Sequence, residues 1–254
     1  MKRSQDAMDD GSGLVQVLII PGSSDCGDVW EPVVAHVTAE GLSCEALDLP
    51  GHGSNHAQQP TTIEGYADSV EAYLDLREMN DIVLVGHSMG ALIALELAGR
   101  SNRRVARIIL FGVGHPMAVV PFLLDAAAND LGRALGLMAK WSLQPSEDTE
   151  VNQRAEAHAV LARSQPPGVL ATALHACNNY AGALEAAKRV TFRTTVVIAE
   201  ADRMVPPQTA EPIISRLASV KRIVMDGASH SVQDESPEAV AAIIVRAAAE
   251  EQSS

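Results

Sequence analysis

The feature that most constrains this fold is a serine held between two glycines, in the run Gly-His-Ser-Met-Gly at residues 86–90. The residues before it, 82–85, are apolar and rich in β-branched side chains, which is typical of a buried parallel strand. The residues after it, 91–98, are almost all good helix formers. A strand that becomes a helix over so few residues needs a sharp turn, with glycine where no side chain fits. The run therefore predicts an α/β fold that presents Ser88 at the carboxyl edge of a sheet.

Strand-like and helical stretches alternate along the rest of the chain. This alternation predicts the α/β class, with a mostly parallel twisted sheet covered by helices on both faces. The predicted strands span residues 15–20, 43–48, 82–85, 105–111, 194–199 and 221–225. The predicted helices between and after them span residues 31–40, 63–79, 92–100, 209–217 and 238–251.

One long region, residues 114–190, breaks this alternation because it is alanine-rich, helical in pattern and without a strand candidate. We expect it to form a helical cap over the carboxyl ends of the strands, where open α/β sheets bind ligands. Residues 14–113 and 191–254 are then the α/β core, and residues 1–13 are expected to be a flexible N-terminus.

Composition narrows the choice of partners. The net charge of −13, from 19 basic and 32 acidic residues, argues against binding to nucleic acid or to an anionic membrane surface. The first ten residues are polar and show no secretory signal, and the longest charge-free run, 108–124, is interrupted by glycine and proline. The three cysteines lack metal-ligand spacing, which favours reduced thiols and a cytoplasmic location. We expect a small-molecule substrate and no metal, and the oligomeric state stays open.

Two later residues could activate the hydroxyl of Ser88. A serine becomes an effective nucleophile when a base takes its proton and a third group orients that base. Asp202 lies just past the predicted strand 194–199, and His230 lies in a loop after the last predicted strand. Since the carboxyl ends of parallel strands meet at one edge of the sheet, we expect the three side chains to converge there.

Other titratable residues in the same segments keep alternatives open. Glu200 and Asp226 could serve as the acid in place of Asp202. His87 and His115 could line the pocket. Because the sharp turn aims neighbouring side chains in different directions, we expect His87 to support the site rather than to act as the base.

Several motifs resemble those of the α/β-hydrolase fold family, in its capped, esterase-like branch. Besides residues 86–90, the loop Asp-Leu-Pro-Gly-His-Gly-Ser at 48–54 is similar to the family's D-x-P-G-x-G-x-S loop. The run Trp-Glu-Pro-Val at 30–33 opens the first helix, and Glu-Ser-Pro-Glu at 235–238 follows His230. The resemblance covers most of the chain outside residues 114–190.

By this resemblance Ser88 is the nucleophile, His230 the base and Asp202 the orienting acid. The backbone N–H groups of Ser23 and Met89 are the implied oxyanion hole. The implied reaction is cleavage of an ester-type bond of a small, largely apolar substrate through an acyl-enzyme on Ser88, without a cofactor. Carbon–carbon bond hydrolysis, lyase or perhydrolase chemistry is the alternative on the same triad, and a non-catalytic ligand-binding relative is a third interpretation.

The chain departs from the family pattern at two places. The family usually has His-Gly in the loop after the first strand, where this chain has Pro21 and Gly22. Pro21 has no N–H to donate, but the implied donor is Ser23, so the oxyanion hole can form while other hydrogen bonds of the loop change. About a dozen residues precede the first strand, which leaves little room for the family's usual N-terminal hairpin, so we expect a sheet that is shorter at that edge.

Overall fold

Six parallel strands form one sheet in the order β2-β1-β3-β4-β5-β6. The computed structural model describes residues 15–100 and 103–250, so the predicted flexible N-terminus, 1–13, lies outside the described residues. The strands are β1 Gln16–Ile20, β2 Ser43–Ala46, β3 Ile82–His87, β4 Val105–Phe111, β5 Thr194–Ala199 and β6 Val220–Met225. The predicted α/β class is confirmed, with a sheet that is wholly parallel in the described part of the chain.

Helices surround this sheet and fill the connections between its strands. They are α1 Glu31–Ala39, α2 Ile63–Leu76, α3 Met89–Gly99, α4 Pro121–Asn129, α5 Leu131–Ser142, α6 Thr149–Ser164, α7 Val169–Asn179, α8 Ala183–Arg189, α9 Glu211–Ile214, α10 Val232–Glu235 and α11 Pro237–Ala249. Short 3-10 turns precede α1 and α9, at Gly27–Trp30 and Pro207–Ala210. None of the helices in the described ranges is both long and apolar enough to cross a membrane.

The two faces of the sheet carry separate hydrophobic cores. Side chains of a strand alternate between faces, so Leu18 and Ile20 of β1 pack with α2, α3 and α8. Val17 and Ile19 of the same strand pack with α1 and α11 on the opposite face. Because both faces are buried, the central strands are continuous apolar runs, and such runs can be recognised as strands from the sequence.

The central helix α3 is buried along its whole length. Its one acidic residue, Glu96, is satisfied there by the hydroxyl of Tyr180 at 2.6 Å and by Nε of Arg100 at 3.0 Å. At its end, α8 approaches so closely that a Cβ atom on Gly99 would lie 2.7 Å from Cα of Ala186. Close packing thus fixes α3, and with it the turn that precedes α3.

Helices α4 to α8 connect β4 with β5, the connection in which the sequence predicts a cap. Helices α4, α5 and α7 share a small apolar cluster that includes Leu123, Met138 and Leu174. Helix α6 packs against α10, and α8 packs against α3 in the core of the sheet. The predicted cap boundary, residues 114–190, stays a prediction.

Candidate active site

The turn between β3 and α3 holds Ser88 in a strained backbone conformation. Its φ is 54° and its ψ is −116°, a region that non-glycine residues rarely occupy. A Cβ atom at Gly86 would overlap the carbonyl of Gly90, and one at Gly90 would overlap the carbonyl of Ile20. Only glycine fits at these two flanking positions. The N–H of Ser88 donates to the carbonyl of Phe111 at 2.9 Å, which ties the turn to β4.

Asp202 and His230 meet behind this turn. Oδ1 of Asp202 accepts hydrogen bonds from the N–H groups of Met204 and Val205, each at 2.8 Å. Oδ2 accepts from Nδ1 of His230 at 2.7 Å. Both side chains are buried, so water competes little for this bond. Since Nδ1 carries the proton, Nε2 of the neutral ring is left as the atom that can accept one.

Ser88 and His230 line the same cavity. No hydrogen bond joins the Ser88 hydroxyl to the ring of His230, although both residues lie in the described part of the chain. Bonds of this kind are often long before substrate binds. The structure therefore forms the acid–base pair directly and brings the serine to the same cavity.

No hydrogen bond in the described part of the chain joins either alternative acid to His230. Glu200 is exposed and accepts a hydrogen bond from the N–H of Gly227 at 2.9 Å. Asp226 is exposed as well. His115 is not among the residues that line the cavity, and its backbone N–H donates to Thr209 at 2.8 Å. Asp202 is thus the acid whose carboxylate contacts the histidine.

His87, next to Ser88, supports the loop of His230. Its Nε2 donates to the backbone carbonyl of His230 at 2.9 Å, and the centroids of the two rings are 4.7 Å apart. Burial and the neighbouring His230 ring lower the pKa of His87 to about 4, so its ring is neutral near pH 7. The ring therefore holds the backbone that carries His230, as expected for a supporting residue.

The loop of His230 is also held from α5. The N–H of Ser231 and the hydroxyl of Ser229 both donate to the carbonyl of Ser142, at 2.9 and 2.7 Å. Ser142 is the last residue of α5. The residues on either side of His230 are thus fixed to one carbonyl at the end of that helix.

The two predicted oxyanion donors lie on either side of the β3–α3 turn: Ser23 lines the same cavity as Ser88, and Met89 follows Ser88 in the chain. The N–H groups of Ser23 and Met89 donate no hydrogen bond to any residue that the structure describes. Met89 is the first residue of α3, where the helix dipole favours negative charge. The carbonyl of Ser23 lies 3.3 Å from Nε2 of His52, and the N–H of Gly22 donates to Oδ2 of Asp25 at 3.4 Å.

The cavity that contains Ser88 has a volume of about 330 Å³, within the usual range of small-molecule sites. Residues 22–25 of the loop after β1 line it together with Ser88 and His230; this loop carries the predicted donor Ser23 and is called the oxyanion loop below. Most of the remaining wall is apolar and comes from the connection between β4 and β5, including Met117, Val119, Phe122, Leu135, Met138 and Trp141. This wall can accept a nonpolar group next to the serine.

A family model with the description Alpha/beta hydrolase family matches residues 17–243 of this chain. The chain belongs to this family. The match spans both sides of the β4–β5 connection. It includes Asp202, His230 and the turn between β3 and α3 at Ser88, which is called the elbow below. The resemblance seen in the sequence is thereby confirmed at the level of the family.

Relatives of this alpha/beta hydrolase include named esterases. A pimeloyl-[acyl-carrier protein] methyl ester esterase of Neisseria meningitidis serogroup A is 27% identical over 96% of this chain and 80% of that protein. Lipase LipV of Mycobacterium tuberculosis is 30% identical over 50% of this chain and 53% of the lipase.

Solved structures share the fold at lower sequence identity. The esterase EaEST from Exiguobacterium antarcticum superimposes with a TM-score of 0.86 at 16% identity, covering 94% of this chain and 93% of that one. A thermophilic esterase from Thermogutta terrifontis gives a TM-score of 0.80 at 22% identity, covering 93% of this chain and 89% of that one.

Three residues near the site of this alpha/beta hydrolase were not found by sequence reasoning: Asp25 and Asp234, which are buried, and His158, which is partly buried. His158 on α6 lies between two carboxylates, with Nε2 2.9 Å from Oδ1 of Asp25 and Nδ1 2.7 Å from Oδ2 of Asp234. Asp25 belongs to the loop after β1. Asp234 lies on α10, which begins just after His230. A lone histidine in an alanine-rich helix belongs to no motif, so no sequence pattern could have identified it.

Proposed function

We propose that this alpha/beta hydrolase is a serine esterase that forms an acyl-enzyme on Ser88. The observation that carries the proposal is the buried hydrogen bond from His230 to Asp202, next to the cavity that His230 and Ser88 both line. A carboxylate on Nδ1 leaves Nε2 free to accept a proton, which is the arrangement that a serine nucleophile requires. The named esterase and lipase relatives support the same reaction class.

The reaction follows from this arrangement. The hydroxyl of Ser88 attacks the ester carbonyl while Nε2 of His230 takes its proton, and Asp202 stabilises the imidazolium. The N–H groups of Ser23 and Met89 donate to the oxyanion as the carbonyl becomes tetrahedral. His230 then gives its proton to the leaving alcohol. In the second half, water loses a proton to His230 and attacks the acyl group. As the bond to Ser88 breaks and the acid is released, His230 returns this proton to the oxygen of Ser88.

The substrate we propose is small and largely apolar, at least in the group next to the scissile bond. The apolar wall of the cavity supports this choice, since a nonpolar group gains free energy when it leaves water for such a wall. We also propose that α4 to α6 act as the cap that supplies this wall. In this proposal the residues at the ends of the strands and at the start of α3 carry out the reaction, and the cap determines which substrates fit.

The test is covalent labelling combined with an ester assay. We expect a fluorophosphonate to modify Ser88, because labelling requires an activated hydroxyl, and we expect p-nitrophenyl esters to be hydrolysed. Ser88→Ala should abolish labelling and lower kcat by about three orders of magnitude or more, with the fold intact by circular dichroism.

The matched control for this test is Ser215→Ala, at an exposed serine after α9, which should behave as wild type. Wild-type turnover in Ser88→Ala, or labelling that maps to another serine, would refute the proposal.

A further inference from the structure

His158 is a partly buried imidazolium. An ionised carboxylate can only accept hydrogen bonds, so contacts of both ring nitrogens with Asp25 and Asp234 require an N–H at each nitrogen. The ring carries both protons only in its charged form. Burial opposes that charge, but the carboxylates of Asp25 and Asp234 outweigh it and raise the pKa of His158 to about 10.

On one side the ring contacts the loop that carries the proposed oxyanion donor Ser23. Asp25 also accepts from the N–H of Gly22, beside Ser23, and from the hydroxyl of Ser24 at 3.0 Å. Burial alone would raise the pKa of Asp25, but the charge and hydrogen bond of His158 hold it below its usual range. Through this carboxylate, His158 fixes the position of the oxyanion loop.

On the other side the ring contacts the segment that follows His230. Asp234 donates its N–H to the carbonyl of Ser231 at 3.0 Å, one residue beyond His230. The carbonyl of Asp234 accepts from Nε of Arg154, one turn before His158 on α6, at 2.7 Å. Helix α6 thereby holds both loops that carry reacting groups.

The charged and titratable groups around the ring come from four elements. Asp25 faces it from the loop after β1, and Asp234 faces it from α10. His87, from the end of β3, lies behind Asp25 with its Nδ1 3.8 Å from Oδ2 of that residue. On α6 itself, Arg154 lies at the backbone of Asp234. The two carboxylates contact the ring directly, whereas His87 is neutral and Arg154 contacts the backbone of Asp234. The charges around the ring therefore favour its protonated form.

We propose that His158 is a positioning residue for the hydrolysis proposed above. It aligns the oxyanion donor Ser23 and the base His230 by holding Asp25 and Asp234 from a single point on α6. This inference rests on the proposed role of Ser88. Because the oxyanion develops only in the transition state, misplacement of its donors lowers kcat rather than substrate binding.

His158→Gln tests the inference directly, because an amide cannot donate to two carboxylates from opposite ends. Loss of one oxyanion donor costs roughly 100-fold or more in kcat, so we expect its misplacement to cost about 10-fold to 100-fold, with KM within about 3-fold. His175→Gln is the matched control, since His175 is an exposed histidine on the neighbouring helix α7. A folded His158→Gln with wild-type kcat would overturn the inference.

The alkaline limb of the pH profile separates positioning from a merely structural role. We expect wild-type kcat to fall near pH 10, as His158 loses its proton and one of its two hydrogen bonds. Asp234→Asn removes one negative charge from the ring, which lowers the pKa of His158 and moves this limb toward neutral pH. A limb that stays in place in Asp234→Asn overturns the inference, even if His158→Gln fails to fold.

The fluorophosphonate rate distinguishes failure of this inference from failure of the proposed function. If wild type is not labelled at Ser88, the proposed function fails. If wild type is labelled and His158→Gln reacts at the same rate, the esterase proposal stands and the role of His158 is refuted. Labelling of His158→Gln about 10-fold slower than wild type is the expected result.

Discussion

The hydrogen bond between Asp202 and His230 predicts how far kcat falls when one carboxylate oxygen of Asp202 is replaced by an amide nitrogen. Asp202→Asn can keep the hydrogen bonds from Met204 and Val205, but its amide nitrogen would then donate to Nδ1 of His230. The proton would move to Nε2, and the ring could no longer accept one from Ser88. We expect kcat for ester hydrolysis to fall by about three to four orders of magnitude, measured with p-nitrophenyl esters.

The matched control is Asp226→Asn, because Asp226 is an exposed aspartate near the same sheet edge. It should retain kcat within about 2-fold. If Asp226→Asn lost activity while Asp202→Asn kept it, the assignment of the acid would be reversed.

Residues differ in how far the sequence could predict their place. Asp202 and His230 follow strands, and strands of a parallel sheet end at one edge, so their meeting could be expected from order alone. The contact of His158 with Asp25 joins positions 133 residues apart and depends on how α6 folds back over the sheet. No local pattern encodes that orientation, since packing among helices decides it.

The elbow between β3 and α3 depends on Gly90 for reasons that a substitution can test. A methyl group there would meet the carbonyl oxygens of Ile20 and Pro21, which are backbone atoms and cannot rotate away. We therefore expect Gly90→Ala to push β1 and the oxyanion loop from α3. The result should be a loss of roughly 2–3 kcal/mol in the free energy of unfolding, measured by urea denaturation, together with a lower kcat.

Gly136→Ala in the interior of α5 is the comparison for stability. An added Cβ at Gly136 meets nothing within 4 Å, and alanine favours a helix more than glycine does. Its free energy of unfolding should rise by about 0.5–1 kcal/mol. Equal effects of the two substitutions would show that the elbow tolerates a side chain.

At the level of elements, the strands were predictable and the helix ends less so. Each strand lies within two residues of its predicted bounds, because continuous apolar runs identify buried strands. The predicted helix at 209–217 is found in part, since a 3-10 turn at Pro207–Ala210 runs directly into the short helix α9, which ends at Ile214. Pro212 has no N–H to donate to the carbonyl of Gln208, so the segment before it cannot form a regular α-helical hydrogen bond there.

For the whole molecule, the contact of α6 with the core links stability to pH. In the unfolded chain a histidine loses its charge near pH 6.5, whereas in the folded chain His158 keeps it to about pH 10. The folded state therefore binds the extra proton between these values. The stabilisation is fully present below about pH 6.5 and is lost as pH rises toward 10.

The Tm of the wild-type protein should consequently fall as pH rises from 7 to 9, with a contribution from His158 of roughly 5 °C. Differential scanning calorimetry at the two pH values measures it. His158→Gln should lose this part of the pH dependence, whereas His175→Gln, which changes an exposed histidine, should keep it. Below about pH 4 we expect the Tm to fall as the pH falls. The pKa of Asp25 is lower in the folded protein than the value of about 4 in the unfolded chain, so acid favours the unfolded state, which binds the proton more readily. If the Tm values of wild type and His158→Gln fall equally between pH 7 and pH 9, the ring is not charged in the folded protein, and α6 is held against its neighbours by packing alone.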